Sequence, residues 1–204
     1  PLCPAAAPAG VGLVSTPGQG GGMSCVPLLR DERVRLAAVT PADYPLIARW
    51  YEDADFMRRY DASPAMPKTV AEVIKYIEEQ QQAPTAFPFA VRLLENDALI
   101  GYLEVDGIFW NHGTGWISLG IGEPGYRGQG YGYAAMTLGL DFAFRELNLR
   151  RVQLTVFADN APAIALYEQS VGENTFCGVL SHSSTILTFG SGLAPHFCRQ
   201  NPPI

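Results

Sequence analysis

Apolar residues follow two rhythms along the middle of the chain. Residues 151–157, RVQLTVF, alternate polar and apolar positions as a half-buried strand does. Residues 34–39, 87–94, 98–105 and 116–121 are short apolar runs of strand character, the second and third separated by the turn-rich Glu95-Asn96-Asp97. Elsewhere the spacing is helical. Tyr44, Ile47, Ala48 and Tyr51 share a face behind Thr40-Pro41-Ala42-Asp43, which reads as an N-cap, a first-turn proline and a first-turn acid. After the prolines of residues 63–67, Val70, Val73, Ile74 and Ile77 mark a second helix from about Thr69. Tyr131, Ala135, Leu138 and Phe142 stripe a long helix over residues 130–147, and Asp159-Asn160 caps a last helix over residues 161–170. The order is strand, two helices, three strands, helix, strand, helix. That order predicts an α/β chain with helices packed on a sheet.

The two ends differ in kind from this block. No charged residue precedes Arg30, and after Ser170 only Glu173 and Arg199 carry charge. A folded domain needs a charged surface, so residues 1–29 read as a flexible extension, residues 30–190 as the domain, and residues 191–204 as an irregular tail. Residues 1–22 are rich in Pro, Ala and Gly, and Met23 is a candidate start of translation. Residues 171–190 are atypical for the domain, although Thr185 to Phe189, TILTF, has strand character. Either the family has a divergent tail here, or a reading-frame slip near Ser170 has replaced the original end. Resequencing residues 165–175 distinguishes the two.

Composition narrows the function classes. The 204-residue chain carries a formal charge of −6, against the basic balance of a general nucleic-acid binder. No apolar run is long enough to span a bilayer. Cys3, Cys25, Cys177 and Cys198 form no C-x-x-C pair, and His112, His182 and His196 lack metal-ligand spacing. Scattered reduced thiols in a cytoplasmic protein without a metal are the simplest reading.

Chemistry concentrates in SLGIGEPGYRGQGYGYAAM, residues 118–136. A strand runs into Arg127, Gly128, Gln129, Gly130, Tyr131 and Gly132, and a helix follows at once. Glycines allow a ligand to approach the backbone, and the free N–H groups of the helix start attract an anion. A phosphate-binding P-loop needs G-K-[ST], and Tyr133 follows Gly132. Gly130, Gly132 and Ala135 satisfy G-x-G-x-x-A, but the acid expected about 20 positions on is replaced by Thr155 and Val156.

Arg127-x-x-Gly130-x-Gly132 resembles the acetyl-CoA signature of the GNAT superfamily, the Gcn5-related N-acetyltransferases. Asn160 to Glu168, NAPAIALYE, resembles that family's downstream Asn…Ala-x-x-Leu-Tyr-Glu segment. The resemblance spans residues 33–172, and residues 53–67 look most like the RimJ/RimL branch. It implies a mixed, mostly antiparallel sheet with helices on both faces. It also implies transfer of acetyl from acetyl-CoA to a primary amine, by direct attack in a ternary complex. The amine would be a protein N-terminus, a polyamine or a small amino compound. Leu119, Gly120 and Ile121 would hold the pantetheine arm and the thioester carbonyl, and the loop of residues 127–132 the pyrophosphate.

Tyr167 falls at the family's general acid, or is a core aromatic. Asn160 binds the coenzyme arm or caps its helix. Ser118 stands where many relatives carry a glutamate base. Glu104, Asp106 and Glu123 are the substitutes, each reading first as a solvated surface carboxylate. Phe109, Trp110 and Trp116 read as core, and Arg58, Arg59, Tyr60 and Asp61 line the acceptor side in relatives. A homodimer is an open expectation. The alternatives to an enzyme are a non-catalytic acyl-CoA-binding module, favoured by Ser118, and an inactive product with an aberrant C-terminus.

Overall fold

The structure, a computed structural model, describes residues 29–60, 66–170, 175–180 and 184–190. The expectations for residues 1–28 and 191–204 therefore fall outside the described residues, as do Asp61, Cys3, Cys25, Cys198, His182 and His196. Among the described residues, seven strands form one sheet in the order β1-β2-β3-β4-β5-β7-β6. They are β1 Val34–Ala38, β2 Phe87–Leu93, β3 Leu99–Phe109, β4 Thr114–Ile121, β5 Arg151–Phe157, β6 Thr175–Leu180 and β7 Ser184–Gly190. Every neighbouring pair is antiparallel except β4 with β5, which the crossover helix between them makes parallel. The expected mixed sheet is present, and TILTF lies inside β7.

Among the described residues, five α-helices cover both faces: α1 Tyr44–Trp50, α2 Ala54–Tyr60, α3 Val70–Gln82, α4 Tyr131–Asp141 and α5 Ala161–Ser170. One core, with Leu103, Val105, Ile117, Ala135, Met136 and Val152, lies on the α4 and α5 side. The other, with Tyr44, Ile47, Trp50, Phe56, Val73, Ile77 and Tyr102, lies on the α1 to α3 side. In β5 the alternation is kept, with Val152, Leu154 and Val156 buried. Central strand β3 is instead buried without interruption from Leu99 to Val105, because helices cover both of its faces.

Four local expectations are corrected. Helix α1 begins after Asp43, not at Thr40, because the Asp43 carboxylate accepts from Thr40 N–H and Oγ and pairs with Arg92. Residues 41–43 thereby become a turn. Helix α2 was not anticipated: it has only seven residues, too short for a periodic stripe. Its start is secured by Asp53, which accepts from the N–H groups of Asp55 and Phe56. The long helix ends at Asp141 and continues as one π-helical turn over Phe142–Glu146. Strand β3 runs on to Phe109 past a bulge, so Phe109 and Trp110 are exposed rather than core. As expected, α3 starts at Thr69, whose side chain and that of Glu72 satisfy each other's backbone N–H groups.

Candidate active site

Strands β4 and β5 pair only from Thr114 to Trp116, opposite Arg151 to Gln153. Beyond Trp116 they diverge. β4 stays paired with β3 through Ile121, so its other edge opens into a cavity of about 380 Å³. Leu119, Gly120 and Ile121 form one wall, Gly128, Gly130 and Gly132 one end, and Asn160, Ala163 and Tyr167 the opposite side. The edge of residues 119–121 thus faces a hollow with no strand partner, where a ligand's amide groups can complete the ladder.

The end wall suits an anion. Gly130 is the N-cap of α4 at φ +84°, a left-handed conformation that side chains rarely adopt, and no side chain caps the helix. Ala134 N–H is the first to bond back, to Gly130 O, which leaves the N–H groups of the first turn free of partners within the helix. A Cβ on Gly128 would meet nothing within 4 Å, so this side of the loop is open. The Arg127 guanidinium faces inward. Nε donates to Ile121 O at 2.9 Å and Nη2 to Gly122 O at 2.8 Å, with Asp53 Oδ2 at 3.4 Å. Burial alone would raise the Asp53 carboxyl, but the N–H groups of Phe56 and Asp55 and the Arg127 guanidinium outweigh it and hold it below its ordinary value. Arg127 therefore ties the loop to the end of β4 and to the start of α2. Gln129 and Tyr131 do not line the cavity. Gln129 donates to Gly125 O, and its own carbonyl accepts from Arg33 Nη2 at 2.8 Å. The Arg33 guanidinium lies 4.3 Å from the Tyr131 ring centroid.

On the α1 to α3 face the two base candidates meet. Glu104 of β3 and Ser118 of β4 are directly paired in register and so share one face of the sheet. Tyr102 and Gly120 are the next such pair on that face. Glu104 is only 1% exposed, which corrects its reading as a surface carboxylate. Tyr76 of α3 donates to Glu104 Oε2 at 3.0 Å, and the Tyr102 hydroxyl lies 3.5 Å from the same oxygen. Oε1 is buried with no hydrogen-bond partner among the described residues. Burial first, and then the like charge of Asp106, push the Glu104 carboxyl up to about 7 against the two tyrosine hydrogen bonds. A carboxylate in this range exchanges a proton at neutral pH, as a general base must. The aromatic floor is continuous: Phe56 and Tyr60 stack at 5.2 Å and 9° over Gly120, where any Cβ would lie 2.7 Å from Phe56 Cε2.

The family model described as acetyltransferase (GNAT) domain matches residues 33–170. The chain belongs to the GNAT acetyltransferase family. It is an N-acetyltransferase by family, and N-acetyltransferases recur among its relatives. The prophage-derived uncharacterized N-acetyltransferase YokL of Bacillus subtilis is 29% identical over 138 residues, 68% of this chain and 75% of that protein. An N-acetyltransferase 9-like protein of Caenorhabditis briggsae is 36% identical over 91 residues, 42% of this chain and 44% of that protein. Among solved structures, the spermidine N-acetyltransferase of Vibrio cholerae in complex with CoA and spermine shares the fold. Its TM-score is 0.68 at 20% identity, over 78% of this chain and 95% of that one.

Tyr167 of this GNAT domain is 8% exposed and lines the cavity, and burial pushes its hydroxyl up to about 12. It thus stays protonated throughout the neutral range. Asn160 is buried in the cavity wall, and its Oδ1 accepts from Ala163 N–H at 3.4 Å, so it both caps α5 and faces the hollow. Glu123 is not a free base: it accepts from Arg49 and from Trp50 Nε1, tying α1 to the segment after β4. Asp106 is half-buried and raised above its ordinary value by burial. Among the described residues no cluster of His, Cys, Asp and Glu is placed to hold a metal, and no helix is long and apolar enough to cross a membrane. Tyr76, Tyr102 and Asp53 went unnoticed in the sequence. Asp53 had a signal, an N-cap acid before Ala-Asp-Phe, but the two tyrosines reach Glu104 only through the packing of α3 on β3.

Proposed function

We propose that this chain transfers the acetyl group of acetyl-CoA to a primary amine, with Glu104 as general base and Tyr167 as general acid. The divergence of β4 from β5 carries this reading, because it opens the backbone edge of residues 119–121 toward a cavity that ends at the uncapped start of α4. The loop of residues 127–132 fits a pyrophosphate by its free N–H groups, and the cavity fits the pantetheine arm, with Asn160 beside it. Acetyl-CoA supplies an activated acetyl thioester. The N–H groups of residues 119–121 would hold the thioester carbonyl, a fixed-dipole stabilisation effective in a dry site. Glu104 Oε1, with Ser118 directly across from it, takes one proton from the ammonium, and the freed amine attacks the thioester carbonyl. As the C–S bond breaks, Tyr167 gives its proton to the sulfur and regains one from the new amide nitrogen.

A base on the neighbouring strand answers the loss of a carboxylate at position 118. The polyamine class of acceptor is supported by the spermidine N-acetyltransferase that shares the fold. The protein N-terminus is supported by the RimJ/RimL-like character of residues 53–67, and by the fold of a proposed ribosomal-protein-serine acetyltransferase of Vibrio cholerae (TM-score 0.62, 16% identity). Cysteine usage supports a cytoplasmic setting. Calorimetry with acetyl-CoA, followed by thiol release with a panel of amines, tests the reading. Binding followed by amine-dependent release is expected. Binding with no release from any amine would favour the non-catalytic module, and no binding would remove both.

A further inference from the structure

Lys68 stands just before the N-cap of α3 and reaches back over the aromatic floor. Its ammonium lies 4.9 Å from the ring centroid of Tyr51 and 5.7 Å from that of Tyr76. Both are within the range at which a ring face attracts a cation. Among the described residues Lys68 forms no salt bridge, and its charge is shared between the two ring faces and the Glu72 carboxylate, which it helps to hold below its ordinary value. The platform leads directly to the buried carboxylate. Tyr76 donates to Glu104 Oε2, while Tyr51 meets Tyr60 edge-on at 6.3 Å and Tyr60 meets Tyr102 edge-on at 6.3 Å. The Tyr76 and Tyr102 hydroxyls border a carboxylate whose second oxygen is buried without a partner among the described residues. A chain of ring faces ending at an unpaired acceptor is suited to an aliphatic ammonium, whose three N–H donors and diffuse charge match both.

We propose that Tyr51 and Tyr76 form a binding site for a primary alkylammonium group, and that Lys68 is its internal occupant, competing with the acceptor amine. This rests on the acetyltransferase reading for the identity of the acceptor, but the site itself is testable without turnover. Its ligand class is an aliphatic primary ammonium, such as a diamine or a lysine side chain, and not an anilinium or an acidic amine. The Lys68 ammonium then sets the apparent affinity, because an acceptor has to displace it.

The test is calorimetric titration of 1,4-diaminobutane into the full chain saturated with CoA, comparing wild type, K68R and K68M. Methionine keeps the length of the side chain and removes its charge. Binding is expected to tighten about 2- to 30-fold in K68M, the range a cation–π contact provides, and to stay near wild type in K68R. Unchanged, weaker or undetectable binding in K68M would overturn the inference. Failure of the parent reading appears separately, as no acetyl-CoA binding by the wild type.

Discussion

A glutamate with one oxygen unpaired in a protein interior is destabilising unless it is protonated. Glu104 is such a group, and its two oxygens divide the work: Oε2 is held by Tyr76, while Oε1 is buried with no hydrogen-bond partner among the described residues. If it is the base, E104Q lowers kcat by about 10²- to 10⁴-fold with little change in acetyl-CoA affinity, read by thiol release and calorimetry. The wild-type kcat/KM should rise with pH through about 7, as the base loses its proton, and E104Q should lose that rise. The same residue makes a stability prediction of definite sign. Its folded pKa lies above its unfolded value, so the native state binds the proton more tightly. That stabilisation is complete below about pH 4.5 and is lost as pH rises toward 7. E104Q should therefore melt higher than wild type at pH 8, by roughly 3 kcal/mol of unfolding free energy, and the gap should close in acid. Of this residue only the identity was visible in the sequence. Its burial depends on α3 lying over β3, which neighbouring residues in the chain do not encode.

At the scale of elements, the short helices α1 and α2 position the glycine loop. Trp50 of α1 packs on Gly122, where an added Cβ would fall 1.9 Å from indole Cδ2. Asp53 caps α2 and also meets Arg127. G122A should cost about 1–3 kcal/mol in a urea titration and weaken acetyl-CoA binding, since the indole and the loop have to move apart. The glycine cluster was legible as an anion loop because its signal is local: residue type, spacing and a following helix. The inward role of Arg127 was not legible. Its contacts with Ile121 O, Gly122 O and Asp53 form only where the loop packs back on the end of β4 and the start of α2.

For the whole molecule, the C-terminal hairpin closes the sheet. β7 pairs with β5 along all of Arg151 to Phe157, and Leu187 and Phe189 are buried in the core beside Val152 and Leu154. The family match ends at residue 170, before this hairpin. A chain ending at Ser170 should lose cooperative thermal unfolding and aggregate, because β5 would present a long bare edge and the core would lose Leu187 and Phe189. Retention of a sharp melting transition in that truncation would show the hairpin to be dispensable.

What the sequence by itself determined is whatever short-range pattern can carry. That includes the alternation of β5, the stripe of α4, the start of α3, and the paired segments around Gly130 and Tyr167 that mark the family. These depend on residues within a turn or two of each other, where backbone geometry dictates spacing. Tertiary structure decided the rest: the opening between β4 and β5, the meeting of Glu104 with Ser118 and Tyr76, and the Lys68 ammonium over two rings. Each of these joins residues distant in the chain. Charge, burial and free hydrogen-bonding capacity at such a point belong to the packed arrangement rather than to any one segment.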